Sequence, residues 1–240
     1  MPPRRTLLDD DEDFPMAGAL TRAAAAAPDP ITLDFGAPPE TLFQQLVRHW
    51  LNERHAPDIL PVQAEVLGAL LDHIRRQTDT VQALRGDPDS SEAEHVRIML
   101  VQTEVERVKF VVRSYIRTRL YKIEKFARYV VATPEVQEKL SQTELDHAKR
   151  FSQLTENHFR VSVLQALPPH QQGLDDNTPF TPPMASEPDK SHAVIVHARE
   201  ECPPVRLPDG TTMQMQKGQI VLTPYAVVEQ LLAVGNVELI

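Results

Sequence analysis

Ile98, Val101, Val105, Val108, Val112 and Tyr115 follow one another at alternating steps of three and four, which lays them along one side of a helix. Ile116, Leu120, Ile123, Ala127 and Val130 take up the same spacing on another side. The first stripe meanwhile continues through Arg119 and Lys122 to Phe126 and Tyr129. No Gly or Pro interrupts Glu92 to Val131, so the pattern predicts one helix of about 40 residues, roughly 60 Å long at 1.5 Å per residue. Two apolar sides on so long a helix predict a rod that one neighbour cannot cover and that subunits share.

Other elements flank this rod. Leu42, Leu46 and Trp50, beside Phe43 and Val47, predict a helix from Pro39 to about Arg54, with Trp50 in the core. Val66, Leu70, Ile74 and Val81 predict a second from Pro61 to about Leu84, Pro61 taking its first position, and Gly86, Asp87 and Pro88 end it. Thr133 and Pro134 mark a break before a short helical stretch to Leu140. A further helix starts at Ser141, carries Leu145, Phe151, Leu154, His158 and Val161, and stops before Pro168. His158 on that apolar face is expected in a core or an interface.

Beyond Pro168 the periodicity changes. Residues 168–190 have linker composition, rich in proline and without a helical or strand period. Residues 193–197 alternate as a strand does, Pro208, Asp209 and Gly210 form a turn between two short strands, and Ile220 to Leu222 predict another. Thr223 is the expected cap of a helix beginning at Pro224, Gly235 its left-handed terminator, and Val237 to Ile240 a closing strand. The expected fold is therefore mainly α: a helical domain over 37–167 built on one long helix, a linker over 168–190, and a small β-rich domain with one short helix over 191–240. Residues 1–36 combine an acidic cluster (Asp9 to Asp13) with an alanine run and are expected to be a disordered tail. Val237, Leu239 and Ile240 are apolar at the chain end, which predicts a docked terminus.

The 240 residues, 41% hydrophobic, suffice for a real core, and no apolar run approaches a membrane span. A single cysteine, Cys202, allows no internal disulfide and no cysteine-rich zinc site, which fits a reducing compartment such as nucleus or cytoplasm. The net charge of −9 opposes adhesion of the whole chain to nucleic acid. Against this acidic background the segment from Arg107 to Val130 reverses sign, with eight Lys or Arg and one acid, Glu124. Its cations could form a solvated face, a nucleic-acid groove, or ion pairs with acids on partner helices. A solvated face would keep Arg119 and Lys122 off the apolar stripe, so pairing with partners is the preferred reading, with bidentate Arg–carboxylate geometry.

Catalytic patterns are weak. Glu92 with His95 and Glu144 with His147 have the Glu-x-x-His spacing of di-iron bundles. Ser91 with Glu94 and Ser141 with Glu144 also match the capping box, which places these residues in first turns near solvent, and that reading is preferred. There is no Gly-rich phosphate loop, HExxH, GxSxG or paired-cysteine motif, and His197 near Cys202 in sequence does not make a base. No cofactor, metal or catalytic residue is expected.

The run RSYIRTRLYKIEKF, Arg113 to Phe126, is similar to the R-S-Y-x-R-x-R-L-x-K-I-E-K-F run of the Sld-type ("Go", five) subunit of the GINS complex of eukaryotic DNA replication. Ser141 to Leu167 resembles the helix before that subunit's linker, and Tyr225 to Ile240 its closing V-x-L-I segment. The order, helical domain first and β-rich domain second, also fits; residues 192–222 match only weakly. The resemblance implies a non-enzymatic nuclear scaffold that assembles with three paralogous Psf-type subunits. It would join the MCM helicase ring to a RecJ-like component and contact DNA weakly or indirectly. The expected interface residues are Arg113, Tyr115, Arg117, Arg119, Leu120, Lys122, Ile123 and Phe126. From other classes, the alternatives are a helical nucleic-acid-binding module and a di-iron enzyme.

Overall fold

The computed structural model describes residues 40–85, 91–174 and 186–240. The acidic tail, the turn at Gly86 to Pro88 and the middle of the proline-rich linker lie outside these. Residues Glu40–Ile240 form one compact unit.

Helix α1 spans Leu42–His55 and starts one turn later than the pattern suggested, because Thr41 is its cap: Thr41 Oγ1 accepts from the Gln44 amide while Gln44 reaches back to the Thr41 amide. Helix α2 spans Ala64–Arg85, so Pro61 does not open it. The chain before it has no regular structure, and the Val62 amide donates to the Lys139 carbonyl, tying this crossing to a later part of the chain. Helix α3 spans Glu92–Lys125, 34 residues and about 50 Å. It ends short of Val131 because Phe126 leaves helical geometry (φ −109°, ψ 23°), and α4 (Ala127–Ala132) continues after this break. Helix α5 (Pro134–Gln137) follows Thr133, whose carbonyl, not its hydroxyl, takes the Val136 and Gln137 amides. Helix α6 spans Gln142–Ser162 behind a complete Ser141–Glu144 capping box.

Three clusters make the interior. Leu46, Leu70, Val111, Val112 and Tyr115 join α1, α2 and α3, with Trp50 packed against them. Ile123, Phe126, Val130, Val136, Leu140 and Ala148 join the end of α3 to α4, α5 and α6, together with Ile59 from the crossing before α2. Both apolar sides of the rod thus find cover within the chain, where the sequence pattern pointed to other subunits. Not every position of the second side is used, since Ile116 is 40% exposed. Helix α6 buries Ala148 rather than the expected stripe: Leu154 and Val161 are 67% and 72% exposed, and His158 is exposed.

The third cluster belongs to the C-terminal strands. Strand β1 (Ala193–Ala198) lies between β4 (Ile220–Pro224) and β5 (Val237–Leu239), antiparallel to both. Val194 and Val196 face inward onto α7 (Tyr225–Val234), whose Tyr225 and Val228 are fully buried. Strands β2 (Val205–Arg206) and β3 (Thr212–Met213) form a hairpin whose turn places Gly210 at φ +84°, a conformation natural to glycine. Thr223 does not cap α7: it lies in β4, and its buried Oγ1 has no hydrogen-bond partner among the described residues. The first amides of α7 are instead taken by the carbonyls of His192 and Lys190. Gly235, at φ +90°, ends the helix as expected.

The strands are not a separate bead. Ala56, at the C-terminus of α1, is part of their core, and Asn52 Oδ1 of α1 accepts from the Leu239 amide at 2.8 Å. Val237 and Leu239 are buried, and the Ile240 amide donates to Ile195 while its side chain stays 48% exposed.

Candidate partner-docking surface

The basic run resolves into two populations on opposite sides of α3. On the inner side Arg119, with no exposed surface, uses all five of its donors. Nε and Nη2 grip Glu144 in bidentate fashion at 2.8 and 3.0 Å. Nη1 donates to Glu53 at 3.1 Å and to the Leu60 carbonyl at 2.6 Å, and Nη2 also donates to the Lys139 carbonyl at 3.2 Å. Three helices and two loops converge on one guanidinium.

Lys122, one turn on, donates to Glu53 Oε1 at 3.0 Å, to the Asp58 carbonyl at 2.8 Å and to the Glu53 carbonyl. Asp58 in turn accepts from Lys139 Nζ at 3.0 Å, and Lys190, the last residue of the linker, lies 3.8 Å away while gripping Glu229 of α7. The chain of charges therefore runs from the helices to the C-terminal strands.

Burial opposes the charge of Arg119, but the Glu144 hydrogen bonds and the charge of Glu53 more than offset it, and its pKa lies above the ordinary value. For Lys122 burial wins over Glu53, and its pKa is lowered. Burial pushes the Glu144 carboxyl up, but Arg119 and the Ser141 amide outweigh it and the pKa falls.

This geometry corrects part of the interface expected from sequence. Arg119, Lys122, Tyr115, Ile123 and Phe126 are buried within the chain itself: Arg119, Tyr115 and Ile123 offer a partner next to no surface, and Lys122 and Phe126 keep only an edge on a surface groove. The guanidinium pairs with carboxylates of its own chain. The partners went unseen because Glu53 sits in a polar stretch at the end of α1 that carries no mark of burial, while Glu144 was already accounted for as a cap; it serves both duties. Arg113 and Arg117 are exposed, and Leu120 is half-buried.

The outer side of α3 has a different character. Val96, Met99, Phe110, Arg117 and Tyr121, with Leu100 at their edge, fall opposite the buried stripe. Val96 is 54% exposed, Met99 65%, Leu100 64%, Phe110 60% and Tyr121 65%. Large apolar side chains aligned along one helix face mark an interaction surface, whereas scattered ones do not. The sequence held a signal for it: Val96, Met99 and Leu100 fit neither stripe read from the periodicity.

The other candidates are accounted for locally. His147 Nε2 lies 3.1 Å from Glu124, and no three His, Cys, Asp or Glu side chains converge among the described residues. Cys202 is buried, its thiol pKa raised by that burial, and His197 is bound to Glu238 at 2.8 Å instead. No helix among the described residues is long and apolar enough to cross a membrane.

Comparison with known proteins follows the same division of the chain. Residues 71–163 match the family model described as "GINS complex protein helical bundle domain", and residues 188–240 match "DNA replication complex GINS protein SLD5 C-terminus". The DNA replication complex GINS protein sld5 of Schizosaccharomyces pombe is 36% identical over 202 residues, covering 84% of this chain and 92% of the relative. The chain belongs to the Sld5 family. The Sld5 proteins of Chaetomium globosum (31% over 200 residues, 82% and 89% covered) and Homo sapiens (27% over 213 residues, 84% and 90% covered) are similar along comparable lengths. In both matched Sld5 segments lie parts of the charge network: Arg119, Lys122 and Glu144 in the first, Lys190 and Glu229 in the second.

Proposed function

We propose that this Sld5-family chain is a non-catalytic structural subunit of a nuclear GINS heterotetramer in DNA replication, held to three paralogous Psf-type subunits through the outward face of α3. The observation that carries this reading is the line of Val96, Met99, Leu100, Phe110 and Tyr121, each more than half exposed on one side of a helix whose other side is saturated. Burying such a side chain contributes about 1.5 to 3 kcal/mol, so a few of them hold a stable interface. The names of the relatives, each a DNA replication complex GINS protein, support the assembly.

In this reading the chain's mechanism is geometric. The Arg119 network fixes α1, α3 and α6 against one another, and Asn52 and Lys190 fix the C-terminal strands to them, so two surfaces are presented in constant relation. Within the assembled complex this would join an MCM helicase ring to a RecJ-like component, with no chemical step performed by this chain and with only weak or indirect contact to DNA. Co-expression with the three partner subunits and size-exclusion chromatography tests the assembly. The Met99→Glu/Phe110→Glu variant should retain the helical circular dichroism of the chain and lose co-elution; co-elution at wild-type stoichiometry would reject the face.

A further inference from the structure

The outward face of α3 changes character at its C-terminal end. There a groove of about 480 Å³ opens between α3 and the end of α1, with Ala56, Pro57 and Phe126 on its apolar walls and Tyr121 standing over it. Arg54, Arg117 and Lys125 surround it. All three are exposed, and none has a carboxylate partner among the described residues. Arg54 rests over the Trp50 ring at 6.0 Å and Lys125 over the Phe126 ring at 5.1 Å. Such contacts orient a cation through its carbon stem and the ring face while leaving its N–H donors to solvent.

Elsewhere on the described surface Arg48, Arg75, Arg107, Lys109, Arg113, Arg160 and Lys190 each lie within ion-pair distance of an acid, and the cations without such a partner, Arg76, Arg85, Arg97, Lys149, Arg150, Arg206 and Lys217, line no apolar-walled groove of this size. In a chain where 34 acids outnumber 25 Lys and Arg, three unpaired cations around one apolar groove are a local excess. Helix termini explain part of it, since Arg54 and Lys125 sit in last turns, where positive charge offsets the macrodipole. Arg117, two turns inside α3, has no such reason.

We infer that this groove receives an acidic polypeptide segment that carries an apolar anchor side chain. The inference deepens the assembly reading, because it names the chemistry required at one end of the same face, and it rests on that reading only for the face being free to a partner. Charge complementarity selects carboxylates for the rim, and the apolar walls select a Leu- or Phe-sized side chain for the interior. A nucleic-acid strand fits less well. Its bases would have one exposed aromatic, Tyr121, to stack on, and its phosphates would continue past three cations onto a chain of net charge −9.

The test uses the full chain and fluorescence polarisation with three probes: a short fluorescein-labelled peptide of Asp and Glu with a central Leu-Phe pair, the same peptide with the pair replaced by Glu-Glu, and single-stranded oligothymidylate. The Leu-Phe peptide should bind most tightly and weaken with salt. Arg54→Glu/Arg117→Glu/Lys125→Glu should weaken it about tenfold or more, since three exposed attractions become repulsions. Lys149→Glu/Arg150→Glu, exposed on α6, should leave it unchanged, and circular dichroism confirms that each variant is folded. Tyr121→Ala should weaken the Leu-Phe peptide and not the all-acid one. Absence of binding, equal binding of the two peptides, indifference to the triple reversal, or tighter binding of oligothymidylate through the same three cations would each overturn the inference. The Met99→Glu/Phe110→Glu variant should bind the peptide normally, so failure here and failure of the assembly reading are read from separate experiments.

Discussion

Replacing Arg119 by Met removes a charge while keeping a side chain of similar reach, and the structure dictates what remains behind. Glu144 keeps the Ser141 amide at 3.0 Å but loses both guanidinium bonds. Glu53 keeps Lys122, while the Leu60 and Lys139 carbonyls each lose a donor within a closed interior. Breaking one partner out of a buried ion pair costs about 3 to 5 kcal/mol, chiefly because the other charge stays buried without its match. Against a total stability of about 5 to 15 kcal/mol that is a large part of the whole. Urea unfolding of the isolated chain, followed by far-ultraviolet circular dichroism, should show the midpoint falling by roughly 1 to 5 M, given slopes of about 1 to 3 kcal/mol per M. Arg117→Ala, on the exposed side, should change the same midpoint by less than about 0.5 kcal/mol equivalent. If both variants unfold alike in isolation, and Arg119→Met fails only when partners are added, the guanidinium is not an internal tie and the reasoning is refuted.

Three further outcomes follow from particular contacts. Deleting Val237 to Ile240 removes a strand and two fully buried side chains, each contributing about 1.5 to 3 kcal/mol, so the truncated chain should melt clearly lower in calorimetry; an unchanged profile would contradict a docked terminus. Thr223→Val deletes a buried hydroxyl that bonds to nothing among the described residues, and should be neutral or stabilising by about 1 kcal/mol in urea titration, where a loss of that size would reveal an unseen partner. Burial, aided by the Arg48 charge, lowers the pKa of His49 from 6.5 to about 4. The unfolded chain therefore binds more protons between these values, and stability should decline as pH falls from 6.5 towards 4. His49→Gln should flatten that part of the pH–stability profile, and an identical slope would remove His49 as its cause.

The helices were legible because their signals are local. The Ser91 and Ser141 capping boxes, the 3.6-residue stripe from Ile98 to Tyr115 and the Gly235 terminator each predict an element from a few neighbouring residues. The break at Phe126 was not legible, since neither Gly nor Pro marks it; the chain turns there to lay α4 against α6. The placement of the β-rich part on α1 was equally hidden. It depends on Asn52 meeting Leu239, 187 positions apart, and an asparagine in a polar helical turn announces nothing. For the basic run, periodicity did place Arg119 and Lys122 on the buried side, and bidentate geometry was expected for the arginine. It could not say whose carboxylates would answer, because ion pairs are sorted by tertiary approach and leave no period in the sequence.

The central claim is that α3 is divided lengthwise, with one side closed by its own chain and the other left for neighbouring subunits. Hydroxyl-radical footprinting with mass spectrometry reads both sides at once. In the isolated chain Met99, Phe110 and Tyr121, 65%, 60% and 65% exposed, should be labelled, and Tyr115, 1% exposed, should not. On assembly with the three partner subunits the labelling of Met99, Phe110 and Tyr121 should fall sharply while Tyr115 stays silent in both states. Undiminished labelling of the three in the assembled complex, or labelling of Tyr115 that disappears on assembly, would contradict the account.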